Sequence, residues 1–215
     1  AEMVRGVSLS TSAWPVRTYL DIENHTVKHD GPSDLVLSLH CFGYGAARRM
    51  GTGALTEDRS SDPFLSLFRD EAPLRNAEEW LLQADYAATK SPHQKDAQRR
   101  RDEVKSMLLE ILPEVEDIAF VADSGENPRR PKPAVRIKTP YGWVSLRDLS
   151  LGYKTLIAWT VDLASRLYET YYRSENPLAE AAVVLVDEID LHLHPAWQRK
   201  ILSYLSERFP NTQFI

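Results

Sequence analysis

Hydrophobic positions along this chain change period several times, and each change marks a different kind of element. Val104, Met107, Leu108, Ile111 and Leu112 recur at i, i+3, i+4, i+7 and i+8, the rule of an amphipathic helix. With a break near Ser91-Pro92, residues Asn76 to Leu112 read as two helices stopped by Pro113. The period then drops to two. Ile118 to Ala122 reads as a strand, and Val135 and Ile137 alternate with Arg136 and Lys138 ahead of a Pro140-Tyr141-Gly142 turn and Trp143-Val144-Ser145-Leu146. That is an antiparallel meander with one wet face. A helical period returns at Leu156, Ile157, Thr160, Val161, Ala164, Leu167, Tyr168 and Tyr171, with Asp162, Arg166, Glu169 and Arg173 predicted on the opposite, polar side.

Ala182-Val183-Val184-Leu185-Val186 shows no polar alternation, which predicts a strand buried on both faces of a parallel sheet. Pro195 then suits the first turn of a helix carrying Trp197, Ile201, Leu202, Leu205 and Phe209 on its buried side and ending at Pro210. Thr212-Gln213-Phe214-Ile215 begins another strand. Glu2 to His40 reads as extended, with Asp34 to Leu39 as a buried strand after the Gly31-Pro32 turn. The order of elements gives an α/β fold: part of a parallel sheet with helices, an antiparallel meander and a helical insert. We divide the chain at 1–62, N-terminal strands; 63–112, the lid-like insert; and 113–215, the region holding the last helices and strands.

Composition narrows the class. With 43% hydrophobic and 27% charged residues, 215 residues can bury a core, and no apolar run approaches the roughly 20 residues of a membrane helix. The start does not read as a basic segment followed by an apolar stretch, so the expectation is a cytoplasmic protein without a membrane partner. One cysteine, Cys41, can form neither an internal disulfide nor a zinc cluster, and reads as a buried small residue. A net charge of −5 argues against wholesale coating of nucleic acid. Arg99-Arg100-Arg101 has Asp96, Asp102 and Glu103 beside it and reads as a solvated helix face; Arg129-Arg130 with Lys132 lies in a Pro-rich turn that specifies no ligand.

Two short segments carry chemistry. The buried strand ends in Asp187-Glu188, and ligands of open α/β sheets bind at the carboxyl ends of strands. An aspartate there can hold Mg²⁺ through its water shell, and a following glutamate can orient and deprotonate an attacking water. Their structural alternative is two acids capping a turn. The second segment, Leu149-Ser150-Leu151-Gly152-Tyr153-Lys154, opens the long helix. A serine hydroxyl, a glycine that lets backbone approach and a helix N-terminus together make an anion site, whereas Ser150 as a plain N-cap is the alternative. Gly43-Tyr44-Gly45-Ala46-Ala47-Arg48-Arg49-Met50-Gly51-Thr52-Gly53 is not a phosphate loop, because no lysine follows its glycines as G-x-x-x-x-G-K-S/T requires; it reads as a flexible connection leaving a strand. His192 and His194 sit two apart beside acids, with no third soft ligand nearby for zinc.

Val183 to Pro195, read through Asp187-Glu188-Ile189-Asp190-Leu191-His192-Leu193-His194, resembles the Walker B strand and D-loop of RecF/SMC-like ABC ATPases, in particular bacterial AAA-type ATPases related to the OLD family. Leu149 to Lys154 resembles their L-S-x-G-x signature, in the correct chain order. The likeness is strong over about residues 143–215 and weaker before, where Gly43 to Arg48 is similar to a tyrosine-glycine-alanine-arginine segment of such ATPases. The resemblance implies an ATP- and Mg²⁺-dependent hydrolase working as a head-to-tail dimer. Asp187, as metal ligand, and Glu188, as base, would act in cis. Ser150, Leu151, Gly152 and Lys154 would meet nucleotide held by the second subunit, and Asp190, His192 and His194 would cross the interface. For Arg48 it implies no nucleotide contact in particular; an interdomain salt bridge is an equal reading.

Two family parts are missing from these residues, the lysine-bearing Walker A loop and the switch histidine expected beyond the last strand. The expectation is therefore a piece of a longer ATPase, binding ATP very weakly by itself. The setting implied is nucleic-acid repair or anti-phage defence, with DNA and a nuclease or other effector as partners. A transport ATPase is a second reading, although such proteins carry a proline where Ile189 stands; a non-catalytic dimerisation module is a third.

Overall fold

The computed structural model describes residues 7–11, 14–21, 26–30, 40–53, 62–123, 129, 132–191 and 193–215. The expected strand at Asp34 to Leu39, Arg130 and His192 lie outside them. Among the described residues there are three sheets of three strands each. The strands β1 (Val7–Thr11), β2 (Trp14–Asp21) and β3 (Thr26–Asp30) form an antiparallel sheet in sequence order.

The second sheet is parallel. It joins β4 (His40–Tyr44), β8 (Ala182–Val186) and β9 (Thr212–Phe214) in the order β4-β8-β9, so β8 is the central strand. Its pairing runs from His40 opposite Ala182 to Tyr44 opposite Val186 on one side, and from Ala182 opposite Thr212 on the other. Burial of β8 is complete over Ala182, Val183 and Val184 and relaxes at Leu185 and Val186, where the strand nears the sheet's rim. The third sheet is the expected meander, β5 (Asp117–Asp123), β6 (Lys132–Thr139) and β7 (Gly142–Ser145). Val135 and Ile137 are fully buried on it, as the alternation requires.

Helices pack against the second and third sheets. A short α1 (Leu65–Phe68) precedes α2 (Ala77–Lys90) and α3 (Gln94–Ile111), broken at residues 91–93 where Pro92 was expected to break them. Asn76 caps α2 by accepting from the Glu79 N–H at 3.2 Å. Val104, Met107, Leu108 and Ile111 of α3 are fully buried, the face their spacing predicted. The longest helix, α4 (Leu151–Thr170), follows a single 3-10 turn at Leu146–Asp148. Its Trp159 packs on Tyr44 of β4 and Phe214 of β9, with ring centroids 5.8 and 6.4 Å away, while its other side meets α2 and α3.

Because α4 is enclosed on two sides, its predicted polar face is not uniformly wet. Asp162 is fully buried, along with Thr160 and Ser165. The triple arginine departs from expectation for a related reason. Arg100 stacks its guanidinium over Trp80 at 4.7 Å and Tyr168 at 4.9 Å and so covers the seam between α2 and α4. Arg99 stays exposed, and Arg101 pairs with Asp85 and Asp102. The helix expected from Pro195 is two pieces, α5 (Pro195–Gln198) and α6 (Ile201–Arg208). That break rotates Leu202 outward, 53% exposed, while Ile201, Leu205 and Phe209 stay buried. Among the described residues no helix is long and apolar enough to cross a membrane.

Candidate active site

The acid pair follows directly from β8, where three chain segments meet at one rim of the parallel sheet. The Asp187 N–H donates to the Tyr44 carbonyl at the end of β4 (2.9 Å), and the Val186 N–H donates to the Ile215 carbonyl beyond β9 (2.9 Å). Asp187 and Glu188 are both exposed there. This is the carboxyl rim at which open α/β sheets present chemistry. Glu188 has φ 49°, in the left-handed region that L-residues seldom adopt. Two donors meet at its carbonyl: the Leu191 N–H at 2.9 Å, and Nη2 of Arg48.

Beyond it the chain runs through consecutive turns, with the Leu193 N–H on the Asp190 carbonyl (3.0 Å) and the Trp197 N–H on the His194 carbonyl (2.7 Å). The Gln198 side chain also reaches back to the Asp190 carbonyl at 3.4 Å. Asp190 is half-buried and His194 exposed. The segment after the acids is therefore a built loop rather than a slack link. Among the described residues no group of three or more His, Cys, Asp and Glu is placed to hold a metal ion. A single exposed carboxylate nevertheless suits Mg²⁺, which keeps most of its water and takes the rest of its shell from phosphates.

At the other pole of the site α4 begins with Ser150 as N-cap residue, φ −61° and ψ 161°. Its carbonyl accepts from the Lys154 N–H at 3.0 Å, but its exposed side chain makes no capping hydrogen bond. Leu151 is 58% exposed and Gly152 is buried. Lys154 turns its Nζ back onto the Arg147 carbonyl (3.3 Å). Ser150, Gly152 and Tyr153 line a cavity of about 550 Å³ shared with Leu193, His194 and Lys200. The structure thus brings the helix tip and the loop after the acids to one depression, although residues of the two are some forty positions apart.

Arg48 sits beneath the acid turn. It is 1% exposed, with φ 36°. Burial pulls its guanidinium down to about 10, opposed by the nearby Asp187, Asp190 and Glu188 carboxylates, so it remains charged at neutral pH. Its hydrogen bond to a backbone carbonyl, rather than an ion pair between domains, is what the structure displays. Its loop is not the flexible connection expected, either. A Cβ at Gly45 would overlap the Ser66 carbonyl, one at Gly51 would overlap the Leu74 carbonyl, and one at Gly43 would lie 2.6 Å from Phe64. Glycine is required because chain packs against chain. Neither Arg48 nor the buried Tyr44 beside it is marked by any periodicity; only the adjoining glycines hint at a crowded place.

Residues 43–215 match a protein family described as "AAA domain, putative AbiEii toxin, Type IV TA system". Among curated proteins, the chain is 53% identical over 72 residues to "Retron Vc95 probable ATPase" of Vibrio cholerae serotype O1 biovar El Tor, a stretch covering 34% of this chain and 14% of that protein. It is 28% identical over 215 residues to "Septu protein PtuA" of Bacillus mycoides (strain KBAB4), covering 97% of this chain and 26% of that one. The chain therefore spans about a quarter or less of the length of these relatives. Among solved structures, the SmcHead bound to the C-winged helix domain of ScpA aligns over 94% of this chain and 58% of its own, with 15% identity and a TM-score of 0.38.

Proposed function

This chain belongs to that AAA domain family, and from this premise we propose that it supplies the acid pair and the serine-glycine helix tip of an ATPase acting as a head-to-tail pair of like modules. The observation that carries the reading is the exposure of Asp187 and Glu188 together at the carboxyl end of a central parallel strand. Glu188 receives the proton of the attacking water, and its backbone is held at the rim by the two donors on its carbonyl. Asp187 would hold Mg²⁺, which when bound would supply charge neutralisation at the terminal phosphates.

Ser150 faces outward with its hydroxyl unspent on capping, and together with the N–H groups at the start of α4 it is suited to the γ-phosphate of nucleotide held by the neighbouring module. Gly152 lets that tip approach closely, and Lys154 and the exposed Leu151 accompany it. Asp190, His192 and His194 lie on the loop that crosses between modules and couples the two sites. The setting we assign, from the likeness to this class of ATPase, is a nucleic-acid transaction such as repair or defence against phage, with DNA and a nuclease or other effector partner.

In the full-length protein, Glu188→Gln should lower MgATP turnover by roughly 10²- to 10⁴-fold, the usual contribution of a positioned base, and trap ATP in a closed dimer. Wild-type turnover by that variant would remove Glu188 from the base role. Ser150→Arg should block hydrolysis while monomer nucleotide binding is kept; lost monomer binding would instead make the serine a structural residue.

A further inference from the structure

Arg48 is an expensive residue to bury where it is. At 1% exposure it makes one hydrogen bond, from Nη2 to the Glu188 carbonyl, while Nε and Nη1 are buried without a hydrogen-bond partner among the described residues. Unpaired buried donors and a desolvated charge both oppose folding, and an apolar side chain of similar length would fill the same slot without that cost. Stability is therefore a poor reason for an arginine here. Its backbone, in contrast, is firmly held. The Gly51 N–H donates to the Leu74 carbonyl (2.9 Å), the Leu74 N–H donates to the Arg49 carbonyl (2.8 Å), and Gly45 is pressed on Ser66. A side chain anchored at its base and bonded at its tip transmits a position from one segment to another.

What it holds is a strained carbonyl. Glu188 keeps φ 49°, and its C=O is fixed by Arg48 from below and by Leu191 N–H from beyond the turn. Losing the guanidinium frees that peptide plane to rotate, and the Glu188 side chain moves with it. We infer that Arg48 is a positioning residue for Glu188, setting the direction of its carboxylate across the 140 residues that separate the two in sequence. This rests on the proposed role of Glu188 as the base.

The test uses the full-length protein and four forms: Arg48→Met, Arg48→Lys, Glu188→Gln and the Arg48→Met/Glu188→Gln double variant. MgATP turnover and the affinity for a fluorescent ATP analogue are measured on each. Misplacing a catalytic group by about 1 Å costs about 10²-fold. Arg48→Met should therefore lose roughly 10- to 100-fold in kcat with nucleotide affinity within about threefold of wild type. Arg48→Lys, which keeps the charge and N–H donors on a shorter reach, should recover part of the loss and also serves if the Met form does not fold. The double variant should be no slower than Glu188→Gln, because a residue that acts through Glu188 has nothing left to position.

Wild-type kcat in a folded Arg48→Met protein, equal losses in kcat and affinity, or a further loss in the double variant would each overturn the inference. Wild-type turnover by Glu188→Gln would instead bring down the reading of Glu188 as base, independently of what Arg48 does.

Discussion

Two arginine-carboxylate clusters lie on either side of Tyr44, and they are built on opposite terms. In one, Asp162 is fully buried in α4 and surrounded by donors: the Tyr44 hydroxyl at 2.9 Å, Arg166 Nε at 2.6 Å, and the Arg75 N–H at 3.3 Å, with Arg75 Nε at 3.8 Å. Arg75 continues to Ser165 at 3.0 Å and to Glu169, with Nη2 to Oε2 at 2.8 Å. Tyr44 is held neutral, its hydroxyl pushed well up by burial and then by the Asp162 charge. In the other cluster Arg48 makes a single bond and leaves two nitrogens unpaired among the described residues, and of the acids around it Asp187 and Glu188 are exposed and Asp190 half-buried.

The denser network locks α4 to β4 and the loop before α2, although Arg75 Nε lacks a hydrogen-bond partner among the described residues; the sparser one, under exposed acids, fits the proposed use of those acids. The lesson is that burial alone does not identify function. The exposure of the carboxylates and the number of donors each one meets separate the two clusters, where a buried arginine alone does not.

Substitutions should widen this contrast in graded steps. The largest effect is expected for Asp162→Ala, which leaves Arg75 and Arg166 facing an empty site and should cost about 3–5 kcal/mol in denaturant unfolding. Turnover per folded molecule should stay within about twofold, since no nucleotide-facing group is touched. A selective loss of turnover with unchanged stability would merge the two clusters into one function. Tyr44→Phe removes one donor to Asp162 while three contacts remain, and should cost about 1 kcal/mol. A cost near that of Asp162→Ala would mean that the network hangs on the tyrosine.

The smallest effect concerns Cys41, two strand positions before Gly43. Burial raises its thiol to about 11. The thiolate is therefore scarce at pH 8 and grows as pH climbs toward that value, so alkylation should be slow at pH 8 and accelerate through pH 9 to 11. The unfolded thiol ionises near its ordinary value, so the raised pKa contributes stability that is complete below about pH 9 and is lost as pH rises through 11. Rapid labelling of native protein at pH 8 would show that β4 opens at that edge.

Much of the architecture was legible because it is written in local spacing. The helix pair around Pro92, the buried face of α3, the wet-faced meander and the central strand β8 all rest on periods of 3.6 or 2, or on an unbroken apolar run. The acid pair and the serine-glycine tip were legible for a similar reason, since each is a short segment at the end of a recognisable element. The errors have a common cause. Asp162, Arg100 and Leu202 were placed by the face of their own helix, but neighbouring segments cover Asp162, two rings receive Arg100, and a break before α6 turns Leu202 out.

By itself, then, the sequence determined which segments become helix or strand and which of their ends carry acids, a hydroxyl or a glycine, because backbone periodicity and end chemistry depend on near neighbours. Only the tertiary structure decided that Tyr44 meets Asp162 from 118 positions away and that Arg48 reaches Glu188 across 140. Those pairings depend on how the parallel sheet and α4 close on one another, and no local pattern of residues encodes the distance between segments that meet only in the folded chain.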